Sequence, residues 1–174
     1  MALSLLLGGA RSGKSALALR RARASGRPLL FVATAEARDR EMTERIARHR
    51  AEREADWAVR EAPLDVAGAV AGAPPDACMV VDCLSLWVAN LMERGDGDDA
   101  IAELASETGR LAAARRATTI AVSNEVGMGV VPASERGRRY RDLLGRVNTI
   151  WADHSSEVVL VVAGRPLALG AGGG

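Results

Sequence analysis

The stretch Gly8-Gly9-Ala10-Arg11-Ser12-Gly13-Lys14-Ser15 constrains this chain more than any other. It follows the apolar run Leu3–Leu7 and opens a segment with helical spacing. A G-x-x-x-x-G-K-[ST] pattern in that setting is a phosphate-binding loop, and the chemistry accounts for each residue type. Glycines let backbone N–H groups curl around a phosphate, and the helix N-terminus adds partial positive charge. Of 23 lysines and arginines, 22 are arginine and one is Lys14. A guanidinium is planar and forked and fits poorly in so tight a cradle, whereas a lysine reaches the β- and γ-phosphates as a point charge. Ser15 offers a hydroxyl to Mg²⁺. The motif predicts a nucleoside-triphosphate site without saying which reaction runs there. A small-molecule kinase and a GTP-binding switch module both remain open.

The rest of the chain fits around that loop. Apolar runs at Leu3–Leu7, Leu29–Ala33, Met79–Asp82, Thr118–Ser123 and Glu157–Ala163 read as strands buried on both faces, with a shorter one at Trp57–Arg60. Helical segments are predicted over Lys14–Ala24, Arg38–Glu54, Leu84–Met92, Ala100–Arg115 and Glu135–Ala152, with a turn at 95–99. Such alternation argues for a parallel sheet covered on both sides, an α/β fold. Residues 1–169 form one expected domain, and the glycine-rich 170–174 an expected disordered tail. A net charge of +1 and 3% aromatic residues argue against nucleic acid as a partner. No run is long enough for a membrane span, and no secretory signal precedes the first strand, so a cytoplasmic protein is expected. Cys78 and Cys83 lack metal-ligand spacing and read as packing residues.

Three further places carry candidate chemistry. Asp82 ends the strand "MVVD", where an acid orients Mg²⁺ in phosphate-loop proteins; an acid there can also cap the following helix, but beside a full phosphate loop the metal role is favoured. His49 lies on one helix face with Met42, Ile46 and Arg53, spaced i, i+4, i+7 and i+11. It is either a boundary histidine on a charged helix or a nucleophile toward phosphorus, with nearby arginines holding the anion. His154 has no more than a helix-end explanation. "NEVGMG", 124–129, leaves a strand at its carboxyl end, where open α/β sheets bind ligands, and Gly127 and Gly129 are expected to take positive φ.

"GGARSGKS", "ATAEARDREMTERIARHR", "VVDCLSLWVANL", "SNEVGMGVVP" and "RDLLGRVN" occur in this order over nearly the whole chain. Together they resemble the bifunctional adenosylcobinamide kinase/adenosylcobinamide-phosphate guanylyltransferases of cobalamin biosynthesis. Many phosphate-loop proteins share the first stretch; very few share "NEVGMG" or the histidine-bearing helix. The resemblance implies a P-loop NTPase with a RecA-like, mostly parallel sheet, assembled as a homotrimer. It implies that ATP or GTP phosphorylates adenosylcobinamide, and that GTP then donates GMP to the product through a guanylyl-histidine. His49 matches that histidine. Some members carry two adjacent histidines where this chain has Arg48-His49. Gly8, Gly9, Ala10, Arg11, Ser12, Gly13, Lys14 and Ser15 match the family's phosphate loop, and Ala33, Thr34 and Ala35 its segment after the second strand. Arg50, Ala51, Glu52, Arg53 and Glu61 match positions linked to GTP. Asp82 and Ser15 are the candidate Mg²⁺ ligands, and Lys14 and His49 the candidate catalytic pair.

Overall fold

Because β1 carries leucine on both of its faces, the sheet can be stable only if helices cover it from both sides. The computed structural model describes residues 3–36 and 57–170. In chain order its elements are β1 (Leu3–Gly8), α1 (Lys14–Ala24), β2 (Leu29–Ala33), β3 (Ala58–Glu61), α2 (Val66–Ala71) and β4 (Cys78–Asp82). Then come α3 (Leu84–Arg94), α4 (Asp98–Ala113), β5 (Thr119–Asn124), α5 (Glu135–His154), β6 (Glu157–Val162) and β7 (Arg165–Leu169).

The strands form one seven-stranded sheet in the order β3-β2-β4-β5-β1-β6-β7. All neighbours are parallel except β7, which runs antiparallel to β6. Side chains of β1 alternate between two cores. Leu3, Leu5 and Leu7 join the core built by α2 to α5, while Leu6 joins Leu17, Ala18 and Ala22 of α1. Each such side chain, fully buried, contributes roughly 1.5–3 kcal/mol. Trp87 and Trp151 are entirely buried on the larger side. Trp87 also donates from its indole N–H to the Leu64 carbonyl at 2.9 Å, tying α3 to the loop before α2.

Most predicted elements are found within two residues of their expected ends. Two were not foreseen. The helix α2 is only 6 residues long and contains Gly68; it begins where Asp65 accepts from the Gly68 N–H at 2.8 Å. The strand β7 is exposed along its whole length and carries Pro166, so it has no burial pattern to read. Burial on both faces fails for β3, which is exposed throughout because it lies at the other edge. The expected helix Arg38–Glu54 lies outside the described residues, as do residues 171–174 of the expected tail.

Leu144 of α5 is wholly buried among these core residues. Leu144→Ala is expected to lower unfolding free energy by about 2–5 kcal/mol, measured by urea denaturation.

Candidate active site

Six parallel strands deliver their carboxyl ends to one edge, and registry alone brings the candidate residues into a row there. Ala33 pairs with Glu61 on one side and with Asp82 on the other. Asp82 pairs with Val122, and Val122 with Leu6, two residues before Gly8. At about 4.8 Å per strand, Asp82 stands roughly 10 Å from β1, and Glu61 roughly 19 Å. Asp82 is near enough to share a metal with a phosphate held after β1. Glu61 is too far for that.

The phosphate loop turns between β1 and α1. Arg11 has φ 57° and Gly13 φ 95°, so the loop passes twice through left-handed backbone before α1 begins. The helix cap is Gly13, and no side chain caps it. The first-turn N–H groups are therefore left to an anion. Gly8 cannot be larger: a Cβ there would lie 2.5 Å from the Ser12 hydroxyl and 2.6 Å from the Val161 carbonyl. Lys14 is buried, and its ammonium donates to the Gly9 carbonyl at 3.0 Å, spanning the loop. The Ser12 hydroxyl is buried and has no hydrogen-bond partner among the described residues. A phosphate oxygen in the cradle satisfies such a group. The tip of the β6–β7 hairpin braces the loop from outside, the Gly164 N–H donating to the Ser12 carbonyl at 2.8 Å.

Asp82 is half-buried at the end of β4. The cap of α3 is Cys83, with no side-chain cap bond, so capping does not account for the carboxylate. The Asp82–Cys83 peptide is cis. Burial pushes the Cys83 thiol up, the neighbouring Asp82 adds to this, and Ser85 donates to its sulfur at 3.0 Å. That is a packed thiol with no nucleophilic role, as its sequence context suggests. Thr34 is fully buried and its hydroxyl is committed to the Cys83 backbone, accepting from N–H at 2.7 Å and donating to C=O at 2.8 Å. Ala33 and Ala35 flank it, half-buried. Ser15 is half-buried on the first turn of α1. The Ser15 hydroxyl and Asp82 carboxylate form an oxygen-only donor pair, which suits Mg²⁺ that keeps waters and phosphate oxygens as its other ligands. His49, Arg50, Ala51, Glu52 and Arg53 lie outside the described residues.

The segment after β5 departs from expectation. The left-handed glycines are Gly13, Gly26, Gly95 and Gly164, and neither Gly127 nor Gly129 is among them. The turn is instead closed by the Glu125 carboxylate, which accepts from the Gly127 N–H at 2.6 Å. Glu125 in turn donates its N–H to the Gly8 carbonyl at 3.0 Å, so this segment is rooted beside the phosphate loop. Sequence reasoning passed over Asn90. It is buried in α3, and its amide donates to the carbonyls of Thr34 and Pro63, each at 2.9 Å. The available signal was one amide on the apolar stripe of "LSLWVANL".

With this geometry in view, comparison with known proteins is specific. The family described as cobinamide kinase / cobinamide phosphate guanyltransferase matches residues 4–169. The chain is similar to the bifunctional adenosylcobalamin biosynthesis protein CobP of Pseudomonas aeruginosa, 44% identical over 173 residues and covering 95% of each protein. It is 37% identical over 177 residues to the bifunctional adenosylcobalamin biosynthesis protein CobU of Salmonella typhimurium, covering 92% of this chain and 95% of that protein. Among solved structures it resembles the flagellar accessory protein FlaH from Methanocaldococcus jannaschii, with a TM-score of 0.50 and 13% identity over 95% of this chain and 74% of that one. That likeness speaks to the α/β P-loop fold alone.

Tyr140, the chain's single tyrosine, donates to the Ser85 carbonyl at 3.1 Å, and burial pushes its phenol up to about 12. Its folded pKa exceeds the unfolded value of about 10, so its stabilising contribution is complete below pH 10 and lost as pH rises toward 12. Phenolate absorbance of the folded protein is expected to appear only near pH 12, with urea stability declining over the same window.

Proposed function

The chain belongs to the cobinamide kinase / cobinamide phosphate guanyltransferase family, and from that premise we propose how its own residues carry the two transfers. It is a bifunctional enzyme of cobalamin biosynthesis. In the first reaction the hydroxyl oxygen of adenosylcobinamide attacks the γ-phosphorus of ATP or GTP. The bond to the β–γ bridging oxygen breaks, the hydroxyl proton leaves, and a nucleoside diphosphate departs. In the second, a ring nitrogen of His49 attacks the α-phosphorus of GTP and expels pyrophosphate. A phosphate oxygen of adenosylcobinamide phosphate then displaces histidine, giving adenosylcobinamide-GDP.

The observation that carries this reading is the cradle: a buried Lys14, uncapped first-turn N–H groups, and a buried Ser12 hydroxyl with no partner among the described residues. Such donors act where charge develops on β- and γ-oxygens, in both reactions. In the kinase step they hold the group in flight; in the guanylyl step they stabilise the departing pyrophosphate. Ser15 and Asp82 would hold Mg²⁺, which supplies charge neutralisation on the β- and γ-phosphates. Ala33 and Ala35 line the path from the phosphates toward Glu61, which serves the nucleoside end, while Thr34 is fully buried between them with its hydroxyl spent on the Cys83 backbone. Arg50, Ala51, Glu52 and Arg53, next to His49 in the sequence, hold the guanine nucleotide. The assembly is a homotrimer working in the cytoplasm, a reading supported by the resemblance and by the lack of any helix among the described residues long and apolar enough to cross a membrane.

The decisive experiment incubates the protein with Mg²⁺ and GTP labelled at the α- or the γ-phosphate. Acid-labile, base-stable label is expected from the α-position only, and His49→Ala is expected to abolish it while sparing phosphorylation of adenosylcobinamide. No α-label under any condition would leave a simple kinase or a switch. Lys14→Ala is expected to lower both activities at least about a hundredfold; kinase turnover retained in that variant refutes the shared role of the loop.

A further inference from the structure

We propose that Asn90 and Thr34 are positioning residues that set the direction of the Asp82 carboxylate and lock three strand exits into register beside the phosphate loop. The inference rests on Asp82 being a metal ligand, as argued above.

Three segments leave the carboxyl edge side by side: Ala33–Thr34 after β2, Ala62–Pro63 after β3 and Asp82–Cys83 after β4. Thr34 holds the peptide unit that follows Asp82 through its N–H and its hydroxyl. Its N–H donates to the Asp82 carbonyl at 3.2 Å, and its hydroxyl accepts from the Cys83 N–H at 2.7 Å. The same hydroxyl donates onward to the Cys83 carbonyl at 2.8 Å. With that peptide unit held, the backbone of Asp82 cannot turn about its own Cα, and so neither can the bond that aims its carboxylate.

Thr34 is fixed in turn by Asn90. The Asn90 amide spends its donors on the Thr34 and Pro63 carbonyls, both at 2.9 Å, so one side chain from α3 joins the exits of β2 and β3. The Ala62 N–H adds a bond to the Ala33 carbonyl at 2.8 Å. Asn90 sits among Trp87 and Leu91 on the buried stripe of α3, where an amide is costly unless its donors are used. Its placement is explained by what it ties together. The exits it joins bear Ala33, Thr34, Ala35 and Glu61, and Thr34 carries the link on to Asp82.

The test uses the full-length protein with bound ADP, titrated with Mn²⁺ and followed by electron paramagnetic resonance, which reads metal binding without turnover. Thr34→Val and Asn90→Leu are expected to weaken Mn²⁺ binding five- to tenfold, with ADP affinity in the absence of metal held within twofold. Thr34→Ser, which keeps the hydroxyl, is expected to stay within twofold of wild type. If Thr34→Val fails to fold, Asn90→Leu carries the comparison. A lowered melting temperature with Mn²⁺ affinity unchanged in the folded variants means that the two residues serve stability only, and overturns the proposal. Asp82→Asn separates the two levels. If it weakens Mn²⁺ while Thr34→Val and Asn90→Leu do not, the positioning role alone fails. If it too leaves Mn²⁺ unchanged, the metal role of Asp82 is wrong and the positioning role falls with it.

Discussion

A phosphate can be gripped only by donors that the fold has left unspent, and the turn between β1 and α1 offers uncapped backbone N–H groups beside the Ser12 hydroxyl. Several buried or half-buried polar groups elsewhere are spent on holding loops in place. Arg115, for instance, donates to the Pro74 and Ala77 carbonyls at 2.9 and 2.7 Å, closing the loop that leads into β4. At Gly8–Ser15 the pattern reverses: the helix has no side-chain cap and the Ser12 hydroxyl has no partner among the described residues. The surrounding structure must hold this turn rigid, because unsatisfied donors would otherwise collapse onto one another or onto nearby carbonyls. The Gly164 brace on the outside and the Glu125 root on the Gly8 carbonyl do that from two neighbouring strands.

The sheet also separates functions by distance. Strand spacing puts the metal-side carboxylate two strands from the loop and Glu61 four strands away. On the proposed reading, a nucleotide lying along the edge would have its phosphates at β1 and its nucleoside toward β3. Two different phosphorus atoms would then be presented at different points of one bound substrate, and a single grip on the β- and γ-phosphates would serve both reactions. Selecting which bond breaks falls to the nucleophile that approaches.

How far the sequence could be read depended on whether each feature is written locally. The phosphate loop is, since the glycine and lysine spacing is the geometry itself. So are β1, β2, β4 and β5, whose apolar runs report burial on both faces. Edge elements are not: β7 pairs with one neighbour, buries none of its residues and contains Pro166, so neither alternation nor a continuous run marks it. Gly127 and Gly129 misled because glycine permits positive φ without requiring it, and a carboxylate two residues earlier closed the turn instead. Asn90 went unnoticed because its partners, Thr34 and Pro63, lie 56 and 27 residues away in the chain. No local pattern encodes a contact that only folding creates.

The solitary lysine has one last implication. All other side-chain positive charge is carried by guanidinium groups or histidine, so Lys14 is the sole side-chain amine that an acylating or carbamylating reagent can meet. That amine lies buried across the loop on the Gly9 carbonyl. A protein with many lysines absorbs such chemistry on its surface at little cost. Here every lysine modification has the same address, so with Lys14 in its proposed role chemical ageing of this side chain would be inactivation, and a bound phosphate would be its natural protection.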